Sequence, residues 1–159
     1  MNVIKKFSVG AWITLAAAVL SLVSIIVYAV NIGGAGYFQN AAVSNMIPLC
    51  VLAVVVLAAA VVLGQVKLPA SAATAMELVT GALQLCAPVL LTLCLANLVA
   101  ARAEGLGFIY FSNADVILEV QTPANLASAT GAIANMACLG AAAVVGIAGA
   151  FCTLRKKEK

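Results

Sequence analysis

Four long apolar stretches dominate the chain, roughly Ser8 to Val30, Met46 to Gly64, Met76 to Ala101 and Asn135 to Leu154. Charged and polar residues gather in the gaps and at the ends. A bilayer core about 30 Å thick is crossed by about 20 apolar residues rising 1.5 Å each. Each stretch reaches that length. The pattern predicts an all-α membrane protein, a four-transmembrane-helix bundle forming a single domain over 1–159. The gaps are too short to bury a separate soluble core.

A second pattern overlies the first. Tyr37-Phe38-Gln39-Asn40-Ala41 returns as Tyr110-Phe111-Ser112-Asn113-Ala114, each time between two apolar stretches. Flanking identities keep register, among them Gly10 with Gly81, Leu20 with Leu91, Gly34 with Gly105 and Asn45-Met46 with Asn135-Met136. This predicts a duplicated helical hairpin, with repeat 1 over about 7–64 and repeat 2 over about 78–154. Both copies start on the same side, so the two tandem hairpins are parallel, related by an axis along the membrane normal. The copies differ chiefly by an insertion over 117–134.

Charge placement orients the bundle. Of the eight Lys and Arg, all but Arg102 lie before the first stretch, between the second and third, or after the fourth. The positive-inside rule then puts both termini in the cytoplasm. The expected location is a plasma membrane, with the alanine-rich spans suggesting a bacterial inner membrane. Val27-Tyr28-Ala29 resembles a signal-peptidase site, but the first stretch exceeds the roughly 7–15 apolar residues of a signal core. Lys156-Lys157-Glu158-Lys159 reads as a basic stop after a last span. Composition agrees with lipid as the main solvent, since 65% of the 159 residues are hydrophobic and 8% charged.

Local signals refine the elements. Thr14, Ser21 and Ser24 are placed to bond the preceding helical turn or a neighbouring helix. Gly33-Gly34 predicts a left-handed stop to the first helix. Asn45 precedes the second as an N-cap, with Pro48 tolerated in its first turn. Thr74-Ala75-Met76-Glu77 matches a capping box. Thr122-Pro123 reads as an N-cap followed by proline at N1. Gly107–Phe111 and Val116–Val120 are β-prone, which predicts a small outer β-hairpin-like loop. Gly146-x-x-x-Ala150 is a small-residue pattern suited to close helix approach.

Candidate chemistry is sparse. Glu77, Gln84 and Pro88 share one face of the third helix. A proline beside a buried amide is a candidate solute path, which Asn97 and Asn135 extend as intramembrane amides. Capping is the stronger expectation for Glu77, and interhelical hydrogen bonding for Gln84 and Asn97. Tyr37, Phe38, Asn40, Tyr110, Phe111, Asn113, Asp115 and Glu119 form the expected outer recognition surface. There is no histidine, which removes His-metal sites and Ser-His triads. Two acids in the outer loop make a poor calcium site. The five cysteines all lie in spans, are odd in number and lack a Cys-x-x-Cys, so they are expected to pack as small apolar residues.

No metal, cofactor, enzyme activity or nucleic-acid partner is expected. The expected function is a scaffold or accessory subunit that meets the bilayer, itself or a larger membrane protein. The alternative is a small-solute transporter or pore along Glu77, Gln84 and Pro88.

Overall fold

The computed structural model describes residues 7–66 and 69–154. The chain forms five helices, α1 (Val9–Gly33), α2 (Met46–Gln65), α3 (Ala70–Phe111), α4 (Ala114–Val120) and α5 (Pro123–Ala150). All but α4 are long and apolar enough to cross a membrane. They pack as a ring in the order α1, α2, α3, α5, with the short α4 resting on α3. Neighbours in the ring run antiparallel. At one end Ser8 meets Thr153, and Leu83 packs with Ala11 and Ala60. At the other, Asn31 meets Ser128 and Arg102 meets Ala41. These are called the Ser8 end and the Phe38 end below.

The interior is small and partly polar, and the exterior is apolar. On α1 the buried residues are Gly10, Ala11, Thr14, Ala17, Ala18, Ser21, Ser24, Tyr28 and Asn31. Val19, Leu22, Ile26 and Val30 are exposed. Lipid tails are as apolar as these side chains, so burying them gains little. Association rests instead on close approach and interhelical hydrogen bonds. Thr14 donates to Gly10 O at 2.9 Å and Ser21 to Ala17 O at 2.8 Å, each back along its own helix. Ser24 donates across the bundle to Asn135 Oδ1 at 2.6 Å. Around them Leu57, Leu91, Leu98 and Leu139 fill the centre. Gly146 also faces inward, where an added Cβ would lie 3.5 Å from Pro88 Cγ and 3.9 Å from Ala17 Cβ.

Helix boundaries depart from expectation in four places. The expected outer β-hairpin is helical, and no strand occurs among the described residues. α3 continues through Gly107–Phe111, and the backbone then turns extended at Ser112. Asn113 caps α4 by accepting from Val116 N at 3.0 Å, with Asp115 in the first turn. Capping chemistry thus outweighs the β propensity of Val116, Ile117 and Val120.

The Thr74 capping box is also overturned. α3 starts at Ala70 behind Pro69, so Thr74 and Glu77 lie inside the helix. Pro69 supplies a fixed φ, and alanine-rich sequence propagates from there. The first helix does not stop in a left-handed glycine. Gly34 is extended, and the positive φ belongs to Gly36. Asn45 does occupy the N-cap position of α2, but in a left-handed conformation without a side-chain cap bond. Thr122 caps α5 by accepting from Asn125 N at 3.2 Å, with Pro123 following as expected.

The Ser24–Asn135 bond generates a stability prediction. A double-mutant cycle with Ser24→Ala and Asn135→Ala, read by reversible unfolding in mixed micelles, should give a coupling of about 1 kcal/mol. Additive single-mutant effects would show that the bond contributes nothing.

Candidate functional site

The residues expected to line a path serve different structural ends. Glu77 is exposed near the start of α3. Gln84 is buried, and its Nε2 donates to Gly149 O at 2.9 Å and Cys152 O at 3.4 Å. Ser8 donates to Thr153 O at 2.8 Å, and Gln65 to Leu154 O at 3.1 Å. The last carbonyls of an α-helix have no partner within it. Here three other segments supply donors to the end of α5 and to the chain just beyond it. Gln84 is thus a C-terminal cap delivered from a neighbouring helix.

Pro88 is buried against Gly146, and Thr92 Oγ1 bonds its carbonyl at 2.8 Å. Asn97 is exposed on α3. Asn135 is committed to Ser24. It lies fourteen residues before Gly149, about 21 Å along α5 from the Gln84 contact. Of the five candidates, only Pro88 touches a surface groove of about 330 Å³ between α3 and α5, whose other walls include Leu85, Val89, Ile147 and Phe151.

The Phe38 end gathers far more. Gly36, at φ +125°, sits so close to Ala124 O and Ser128 that a Cβ has no room. This lets residues 37–43 fold back over the bundle. Phe38 N donates to Ser128 Oγ at 3.1 Å, and Asn31 Nδ2 to Ser128 O at 2.7 Å. Asn40 N donates to Ile32 O at 2.8 Å, with Asn40 itself left-handed. The Tyr28 hydroxyl accepts from Val43 N. Arg102 Nη2 donates to Ala41 O at 2.6 Å, and its guanidinium lies 4.5 Å over the Phe38 ring. Gly105 leaves space for the Tyr37 and Phe38 rings, which meet edge-on at 5.3 Å. Phe108 stands 5.9 Å from Tyr37.

The two sequence echoes therefore meet at one end but play different parts. Tyr37-Phe38 lies in a turn, and Phe38 is 2% exposed. Tyr110-Phe111 closes α3, and Phe111 is 86% exposed. Tyr110 packs in the cluster around Phe38 and Ile109. Asn113 caps α4, while Asp115 and Glu119 are exposed on it. Gln121 and Asn125 tie α4 back, donating to Ile109 O at 3.1 Å and Val120 O at 2.8 Å.

The residues that organise this end beyond the expected ones are Tyr28, Asn31, Arg102 and Ser128. Arg102 carried a sequence signal as the lone basic residue on the wrong side of the charge pattern. Its spacing from Leu98 and Ile109, four and seven residues, also places it on the core face of α3. Ser128 carried no such signal, since hydroxyls are common in small-residue helices. No protein-family model, characterised protein or solved structure matches this chain.

Removing the Gln84 amide should loosen the α5 terminus. In Gln84→Leu, maleimide labelling of the half-buried Cys152, mapped by peptide mass spectrometry, should quicken about five-fold, the effect of losing about 1 kcal/mol. An unchanged labelling rate would show that Gly149 and Cys152 do not rely on Gln84.

Proposed function

We propose that the protein is a scaffold or accessory subunit of a membrane assembly and presents its Phe38 end to a partner. The observation that carries this reading is the contrast between two sets of side chains. Gln84 and Asn135, the buried amides of the expected path, are spent on α5 and Ser24. At the Phe38 end, Phe111 and Leu118 are 86% and 85% exposed. They flank the acids Asp115 and Glu119 on and beside α4, which buries no residue of its own. An aromatic and a branched aliphatic ringed by charge form a small docking patch, of the kind a larger membrane protein or a second copy would cover.

The finer architecture belongs to this reading. We read α1 with α2 and α3 with α5 as two tandem hairpins of common origin, neighbours in the ring although the larger seams are α1–α5 and α2–α3. The charge bias places the Ser8 end in the cytoplasm and the Phe38 end outside. The addition over 117–134, absent from the first hairpin, then supplies the later part of α4 and the start of α5 on the outer face.

The test is extraction from native membranes into polymer discs without detergent. The chain should appear in a complex heavier than one copy, and Phe111→Asp with Leu118→Asp should shift at least ten-fold more of it to the monomer. A monomer throughout would overturn the scaffold. Solute flux from wild-type liposomes that Gln84→Leu abolishes would establish the pore instead.

A further inference from the structure

Arg102 is 3% exposed, and arginine stays charged at any physiological pH. A buried charge is costly unless something opposite compensates it. Its surroundings offer one carbonyl, Ala41 O, and the face of Phe38. Nε is shut from the surface and has no hydrogen-bond partner. Among the described residues no carboxylate comes within ion-pair distance. Glu104, Asp115 and Glu119, the acids of this end, are all exposed. Glu77 is far along α3, twenty-five residues before Arg102.

The neighbourhood is positive in a second way. α2 begins just after the segment that Arg102 holds. Its N-terminus has no acidic residue in the first turn and no side-chain cap bond. Helix N-termini carry partial positive charge and free N–H groups. The rim is aromatic, formed by Tyr37, Phe38 and Phe108, as suits a membrane–water boundary.

We propose that Arg102 is the recognition residue of a phosphate-type oxyanion site in the Phe38-end mouth of the bundle, with the Phe38 ring lying across its guanidinium. Moving the Phe38 ring aside uncovers Nε next to Nη2. Those two groups form the edge of a guanidinium that binds phosphate oxygens bidentately. The ligand replaces the ring as the partner of the charge and leaves the Ala41 bond in place. A lipid headgroup reaching in from the boundary and a free phosphate from the water offer the same chemistry. The site is independent of the scaffold reading, because it needs neither Phe111 nor Leu118.

The test uses the full chain in a maltoside detergent, which contains no phosphate. Two additions are compared: potassium phosphate against potassium chloride at equal ionic strength, and phosphatidylglycerol against neutral diacylglycerol. The readouts are the melting temperature and retained adducts by native mass spectrometry. A rise of several degrees with phosphatidylglycerol alone assigns a lipid headgroup, and a rise with phosphate assigns the free ion. Either rise should vanish in Arg102→Gln and persist in Asn97→Leu. Should Arg102→Gln fail to fold, Phe38→Ala provides the second reading, with affinity expected to increase several-fold as the cover is lost. No rise with either addition, a rise that survives Arg102→Gln, or unchanged affinity in Phe38→Ala would overturn the proposal.

Discussion

In a hydrocarbon solvent, a polar group that does not bond within the protein does not bond at all. Most of this fold follows from that requirement. The end of α5 is closed by amide and hydroxyl donors from three other segments. Thr14 and Ser21 return their hydroxyls to their own helix. Ser24 and Asn135 are matched across the bundle. The same requirement explains why the turn after α1 is so heavily tied. Residues 37–43 are not helical, and their backbone groups take Ser128, Ile32, Tyr28 and Arg102 as partners.

Satisfying those groups from neighbouring elements also fixes how the helices meet. The α1–α5 seam carries the Ser24–Asn135 and Asn31–Ser128 bonds and the close approaches at Gly10, Gly131 and Gly149. The α2–α3 seam is held by Cys94 Sγ donating to Met46 O at 3.3 Å and, beyond the helix start, by Arg102 on Ala41. Packing in the two seams is thus directional. A rotation of α1 by one residue would part Ser24 from Asn135 and could bring Val19 to the buried position of Ala18.

Much of the scaffold was legible from sequence because hydrocarbon thickness sets span length. The apolar stretches located all four helices long and apolar enough to cross a membrane. They underestimated α3, which starts at Ala70 and ends at Phe111, because Ser71, Thr74 and Glu77 read as interfacial although helix propensity carries through them. The Phe38 end was less legible. Val116-Ile-Leu-Glu-Val120 has β-branched residues that favour a strand in isolation, but Asn113 and Asp115 start a helix there. The Tyr-Phe echo correctly brought two segments to one end. It did not reveal that one aromatic pair lies in a turn and the other on a helix, because a five-residue match carries no record of the backbone. Gln84 was recognisable as an interhelical donor. Its target was not, since the carbonyls it bonds lie 65 and 68 residues away.

α3 has 42 residues, which at 1.5 Å each is about 63 Å, twice a bilayer core. One continuous helix is therefore longer than a bilayer core, and part of it lies beyond the hydrocarbon of any membrane it crosses upright. Its sole internal proline, Pro88, sits where α3 leans on Gly146, so flexing concentrates at a single knuckle rather than along the shaft. A change of bend at that knuckle swings the two arms of α3 against each other, and the arm toward the Ser8 end is the shorter one.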